Sequence, residues 1–133
     1  MDTARAMSQE NVEVVRGLFT ALDNQDWEAA LRAFDPAVDW SPTEGTFRGL
    51  EGLATSLMEW LEPWEEHRIE AEEFTKAGNQ VLAVIRLVGR MPGSRMEVDQ
   101  RFFQVYTVSD GKIIRMVEFG TRDQALEAAG LSE

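Results

Sequence analysis

The 133-residue chain contains no cysteine. That excludes disulfides, thiol catalysis and cysteine-ligated zinc. Its one histidine, His67, cannot build a multi-histidine metal site within one chain. Basic residues are scarce: 13 lysines and arginines stand against 24 aspartates and glutamates, a net charge of −11. Such a balance argues against nucleic acid and against anionic membrane surfaces as partners. No apolar run reaches the ~18 residues of a membrane span, and no signal peptide is visible, so the cytoplasm is the expected compartment. Prolines number only four, Pro36, Pro42, Pro63 and Pro92, and each falls at the edge of an expected element.

Apolar residues make up 44% of the chain and charged residues 28%, which are globular values. The length suits one domain with a real core. Residues 1–7 lack periodicity and read as a flexible tail; 8–133 read as a single domain. Repeats, low-complexity segments and linkers are absent.

Ser8 can cap a helix running to about Asn24, with Val12, Val15, Phe19 and Leu22 at helical spacing and Leu18 beside them. Asp26 can cap a second helix, Trp27–Phe34, stopped by Asp35-Pro36. Ala37–Ser41 reads as a short strand and Thr43–Gly49 as a loop. A third helix fits Leu50–Glu62, with a stripe of Leu50, Leu53, Leu57, Trp60 and Leu61. Seven glutamates between Glu59 and Glu73 read as a solvated helix end and an exposed edge strand. His67, flanked by Glu65, Glu66 and Arg68, belongs to that surface. Arg68–Lys76 is a strand whose alternation shifts near Glu72-Glu73, as a bulge would produce. Val81–Arg90 is nearly all apolar and reads as central. Thr121-x-x-Gln124 matches a capping box for a last helix, Arg122–Ala129, with Gly130 as its stop.

Val98–Val108 and Ile113–Phe119 are β-branched and aromatic, and Asp110-Gly111 between them is the signal of a type I′ hairpin. A regular ladder from that turn pairs Thr107 with Ile114, Val105 with Met116 and Phe103 with Glu118. One face then carries Arg101, Phe103, Val105, Met116 and Glu118. The other carries Phe102, Gln104, Tyr106, Val117 and Phe119. Arg101 lies diagonal to Glu118 in this register. The pair is either a carboxylate held in an apolar pocket by a guanidinium, or a cross-strand ion pair without chemistry. A slip of one residue would reverse the faces.

Helices first and antiparallel strands after give an α+β fold. With LFTALDNQDWEAALRAFDPAVDWSP, GTFRGLEGL, VYTVSDGKIIRMVEF and DQALEAAGL in this order, the chain resembles the nuclear transport factor 2-like superfamily, and within it the SnoaL-like group. The resemblance implies a cystatin-like roll: a cone-shaped, curved antiparallel sheet wrapped around three N-terminal helices, with a short C-terminal helix. It implies a pocket at one end, and a homodimer through the outer sheet face, here Phe102, Tyr106, Val117 and Phe119. Ketosteroid isomerases of the superfamily carry an oxyanion tyrosine that falls at about Leu18, a base that falls at Ser41 and an acid that falls near Phe103. Asp39, two residues before Ser41, is a displaced candidate for the base. Cyclases and epoxide hydrolases carry an acid on the last strand, where Glu118 stands. Asp99-x-Arg101 resembles the epoxide hydrolases' acid–arginine pair in reverse order.

Three functions follow as expectations. The first is cofactor-free, metal-free acid–base catalysis on a small apolar molecule, with Glu118 as base, Arg101 as its orienter and Asp39 or Asp99 as a second acid. The second is a non-catalytic binder with Trp40, Phe47, Trp60, Phe103, Leu18 and Leu57 around the ligand. The third is a dimeric interaction module whose cone is filled by its own side chains.

Overall fold

The computed structural model describes residues 3–42, 45–93 and 95–131, with side chains from Gln9 onward except Leu61. The Leu61 side chain of the third-helix stripe, and Thr43 and Glu44 of the expected loop, fall outside that description. Helix α1 spans Thr3–Asp23, so Ser8, expected as its cap, lies inside it and not at its start. It buries Val12, Val15, Leu18 and Phe19, the stripe that the 3.6-residue period demands. Gln25 breaks it with φ of 56°. Asp26 then caps α2, Trp27–Arg32, by accepting from the Ala29 amide at 3.1 Å.

Strand β1 is Phe34–Ser41, so Phe34 belongs to it and not to the second helix. The reason is pairing: Phe34 lies opposite Ile113, whose amide donates to the Ala33 carbonyl at 2.9 Å. After the two-residue β2, Phe47–Arg48, comes α3, Gly49–Leu61. Strands β3 (Glu66–Ala77), β4 (Gln80–Arg90), β5 (Glu97–Ser109) and β6 (Lys112–Phe119) form the expected meander, and α4 is Arg122–Ala128. The sheet order is β2-β1-β6-β5-β4-β3. β1 runs parallel to β6, and the other neighbours are antiparallel. The architecture is α+β, with an open, curved sheet around the helices.

The largest core cluster joins α1, β1 and α3 to the inner sheet face, through residues such as Val15, Val38, Leu53, Ala83, Ile85, Tyr106 and Met116. β4, paired on both sides, alternates between the two faces of the sheet. Val81, Ala83 and Ile85 face the helices, while Leu82 and Val84 join Val105 under Ala125 of α4 and its C-cap Ala129. α4 is held at its start by Thr121, whose hydroxyl accepts from the Gln124 amide at 3.2 Å.

The hairpin turn is the expected one: Asp110 and Gly111 have φ of 50° and 77°, and Ser109 pairs with Lys112. The ladder beyond it is not. A bulge between Thr107 and Val108 leaves Ile114 unpaired, so Thr107 lies opposite Arg115, Phe103 opposite Phe119 and Gln104 opposite Glu118. One extra residue on β6 turns the rest of that strand over relative to β5.

Candidate functional site

The bulge brings Met116 and Glu118 to the face of Phe102, Gln104 and Tyr106, which is the face toward the helices. There a cavity of about 400 Å³ opens between α1, α3 and the sheet. Phe19 and Leu22 of α1, Trp40 of β1 and Phe47 of β2 form one side. Ser56, Leu57 and Trp60 of α3 form another, followed by Trp64. Ile85 of β4, with Gln100, Phe102, Gln104 and Tyr106 of β5, supplies the floor, and Glu118 of β6 reaches the wall.

The rings lock one another. Tyr106 meets Phe19 edge-on at 6.1 Å, and Trp60 meets Phe102 edge-on at 5.9 Å. Into this apolar setting the strands place a directional hydrogen-bond chain. The Tyr106 hydroxyl donates to Gln104 Oε1 at 2.6 Å, and Gln104 Nε2 donates to Glu118 Oε1 at 2.9 Å. Burial, aided by the charge of Glu118, pushes the Tyr106 hydroxyl well above its usual value, so it stays a donor at neutral pH. A hydroxyl that donates fixes the amide's oxygen toward it and the amide's NH2 toward the carboxylate. Gln104 thereby orients Glu118 toward the cavity wall.

Three expected catalytic residues lie elsewhere. Arg101 reaches Glu72 at 2.6 and 3.3 Å, and Asp99 is held by Arg86 at 2.9 and 2.7 Å. Both pairs lie on the outer sheet face, because Arg101 alternates with Gln104 and shares the face of Phe103. The arginines hold the Glu72 and Asp99 carboxyls below their usual range. Asp39 is half exposed, 3.7 Å from Arg48, and alternates with the inward Trp40. Arg101 is therefore not the orienter of Glu118, and Asp99-x-Arg101 is not an epoxide-opening pair in this cavity.

Of the expected lining residues, Trp40, Phe47, Trp60 and Leu57 are in place. Phe103 is not: it packs on the outer face with Phe119, and Phe102 takes its position inside. Leu18 is 1% exposed in the core and does not reach the cavity. The same inversion corrects the expected dimer surface. Phe102 and Tyr106 point inward, and Phe119 packs beside α4. Gln104 and Tyr106 are the site residues that sequence reasoning passed over. Their signal was a glutamine and a tyrosine alternating within an otherwise apolar strand face.

Fold and cavity together define a single-chain cone of the nuclear transport factor 2-like kind. The chain belongs to the SnoaL-like domain family, whose model matches residues 15–116. No curated protein matches it in sequence. Among solved structures, a candidate SnoaL-like polyketide cyclase from Jannaschia sp. CCS1 is 26% identical, with a TM-score of 0.75 over 91% of each chain. TerC, co-crystallised with polyporic acid, is 21% identical, with a TM-score of 0.76 over 91% of this chain and 98% of its own. A protein of ketosteroid isomerase-like fold from Catenulispora acidiphila DSM 44928, in complex with trimethylamine, is 16% identical, with a TM-score of 0.72 over 90% of this chain and 94% of its own. Among the described residues no helix is long and apolar enough to cross a membrane, and no acidic or histidine cluster could hold a metal ion.

Proposed function

We propose that this protein binds a small, largely apolar, ring-bearing molecule in the cone and moves a proton on it without a cofactor, with Glu118 as the base. The observation that carries this is the Tyr106–Gln104–Glu118 chain on the wall of an aromatic cavity. A general base must be held at a fixed place beside the carbon that loses its proton. Here the amide of Gln104 supplies that orientation, and Arg101 is engaged by Glu72. In the step, the substrate C–H bond breaks toward a Glu118 oxygen, and the electron pair moves onto a neighbouring carbonyl to give an enolate. Ser56 and Gln100, the other uncharged polar side chains on the wall, would meet that oxygen.

A cyclase-type or isomerase-type reaction fits this set better than epoxide opening, because Asp99 and Arg101 lie outside the cavity. Membership in the SnoaL-like family and the likeness to a candidate polyketide cyclase support the same class. So does TerC, a neighbour of similar fold co-crystallised with polyporic acid. A homodimer through the outer sheet face is retained on a changed set of residues. Val117 is half-buried there, and Ile114 is exposed at the bulge.

The test begins with a thermal-shift screen of polyketide-like aromatics, steroids and other ring-bearing carbonyl compounds. A ligand at 100 times its Kd stabilises the fold by about 2.7 kcal/mol. For a hit, deuterium exchange from solvent into its acidic carbon is followed by NMR. Glu118→Gln is expected to keep the thermal shift and to slow exchange by roughly 10²–10⁴-fold. Unchanged exchange in that variant would remove Glu118 from the role of base. A ligand that binds wild type without any exchange would identify a binding protein.

A further inference from the structure

A second cavity, of about 720 Å³, lies between α2 and α3. Trp27 and Leu31 face it from α2, and Ala54 and Met58 from α3. Among the described residues, its one charged wall group is Glu62. Trp27 is 46% exposed and Met58 69% exposed, so two large apolar side chains stand in water around a hollow.

The partition between this groove and the cone is thin. Leu57 and Trp64 line both. Phe34 lines the groove, and its ring meets that of Trp40, which lines the cone, edge-on at 5.7 Å. Trp64 is not part of α3; it follows Pro63 in the connection to β3. Its ring rests on the backbone of Gly89, where a Cβ would come within 2.7 Å of Trp64 Cε3. That bare glycine sets the indole at the boundary of the two spaces.

Resting on the cone-ligand reading above, we infer that the ligand is elongated. Its ring sits in the cone beside Glu118, and an uncharged alkyl chain passes Leu57 and Trp64 into the α2–α3 groove. The occupant follows from three features together: the shared walls, the apolar lining, and Glu62 with the net charge of −11, which disfavour an anionic tail end. The groove is the larger of the two spaces, so most of the contact that separates one ligand from another would be made there.

The experiment measures Kd by calorimetry for a neutral probe series: phenol, 4-ethylphenol, 4-butylphenol, 4-hexylphenol and 4-octylphenol. In wild type each methylene is expected to tighten binding by roughly two- to fourfold. Ala54→Trp, which fills only the groove, is expected to abolish that increment and leave phenol binding unchanged. Trp27→Glu, at a half-exposed position, charges the same wall and is expected to act alike; it stands in if the bulkier variant does not fold. Binding that is flat along the series in wild type would overturn the elongated ligand and leave the cone reading intact. An increment that survives in both groove variants would also overturn it, since the chain would then lie elsewhere. If no member binds, this inference falls, and the thermal-shift screen decides the cone reading separately.

Discussion

At the scale of single residues, Tyr106 bears most of the weight. It is fully buried and is the chain's one tyrosine, so the tyrosinate absorbance near 295 nm reports it alone. Its pKa is raised in the fold, chiefly by burial and then by the charge of Glu118. The native state therefore binds the phenolic proton more tightly than the unfolded chain, whose tyrosine titrates at about 10. That stability is fully present below about pH 10 and is lost as pH rises toward the folded value. Alkaline titration is expected to show no tyrosinate until unfolding sets in. A band rising near pH 10 with far-UV dichroism intact would contradict the buried donor. Tyr106→Phe leaves the Gln104 carbonyl without its donor. It is expected to cost about 1–3 kcal/mol in urea unfolding and to lower proton-exchange activity, because the amide no longer holds Glu118. Glu118 itself was legible from its place on the last strand. Its partner was not, since Arg101 offered a more obvious charge.

Among the elements, the short ones are held by single atoms, and each can be tested. Thr121→Ala removes the acceptor for the Gln124 amide and is expected to cost about 1 kcal/mol. The loss would loosen α4 from Leu82, Val84 and Val105, and hydrogen exchange in α4 would rise first. Gly89→Ala is expected to cost about 1–3 kcal/mol, because its Cβ meets the Trp64 ring at 2.7 Å and the Glu66 carbonyl at 2.9 Å. The check is chemical denaturation together with tryptophan emission, which should shift to the red as the indole leaves the wall. The caps at Asp26 and Thr121, the Asp-Gly turn, the bulge near Glu72 and the last helix could all be read from local sequence, since each depends on neighbours in the chain. The bulge at Ile114 could not. Both Ile113 and Ile114 are apolar, and only burial of Ile113 in the core decides which of them pairs.

For the whole molecule, the outer sheet face combines apolar residues with ion pairs: Arg86–Asp99, Arg101–Glu72 and Arg122–Glu73. These pairs are exposed enough that each contributes little to stability. Together with the Glu72 bulge, the charges along β3 blunt a twelve-residue edge strand against pairing with other chains. Sedimentation at micromolar concentration tests the proposed dimer. A species of twice the 15.0 kDa chain mass is expected, and a lone 15.0 kDa species would remove the interface. Ile114→Asp, at the exposed bulge, is expected to weaken association without touching the cone.

The sequence by itself determined the α+β class, the element order, the family and the acid on the last strand. Those depend on local propensity and on hydrophobic period, which a chain carries in its own order. Which residues of β6 share a face with those of β5 depended on one unpaired residue, and so on packing between segments far apart in sequence. Only the tertiary structure could place Phe102, Gln104 and Tyr106 inside, send Arg101 and Asp99 out, and set two cavities on either side of Trp64.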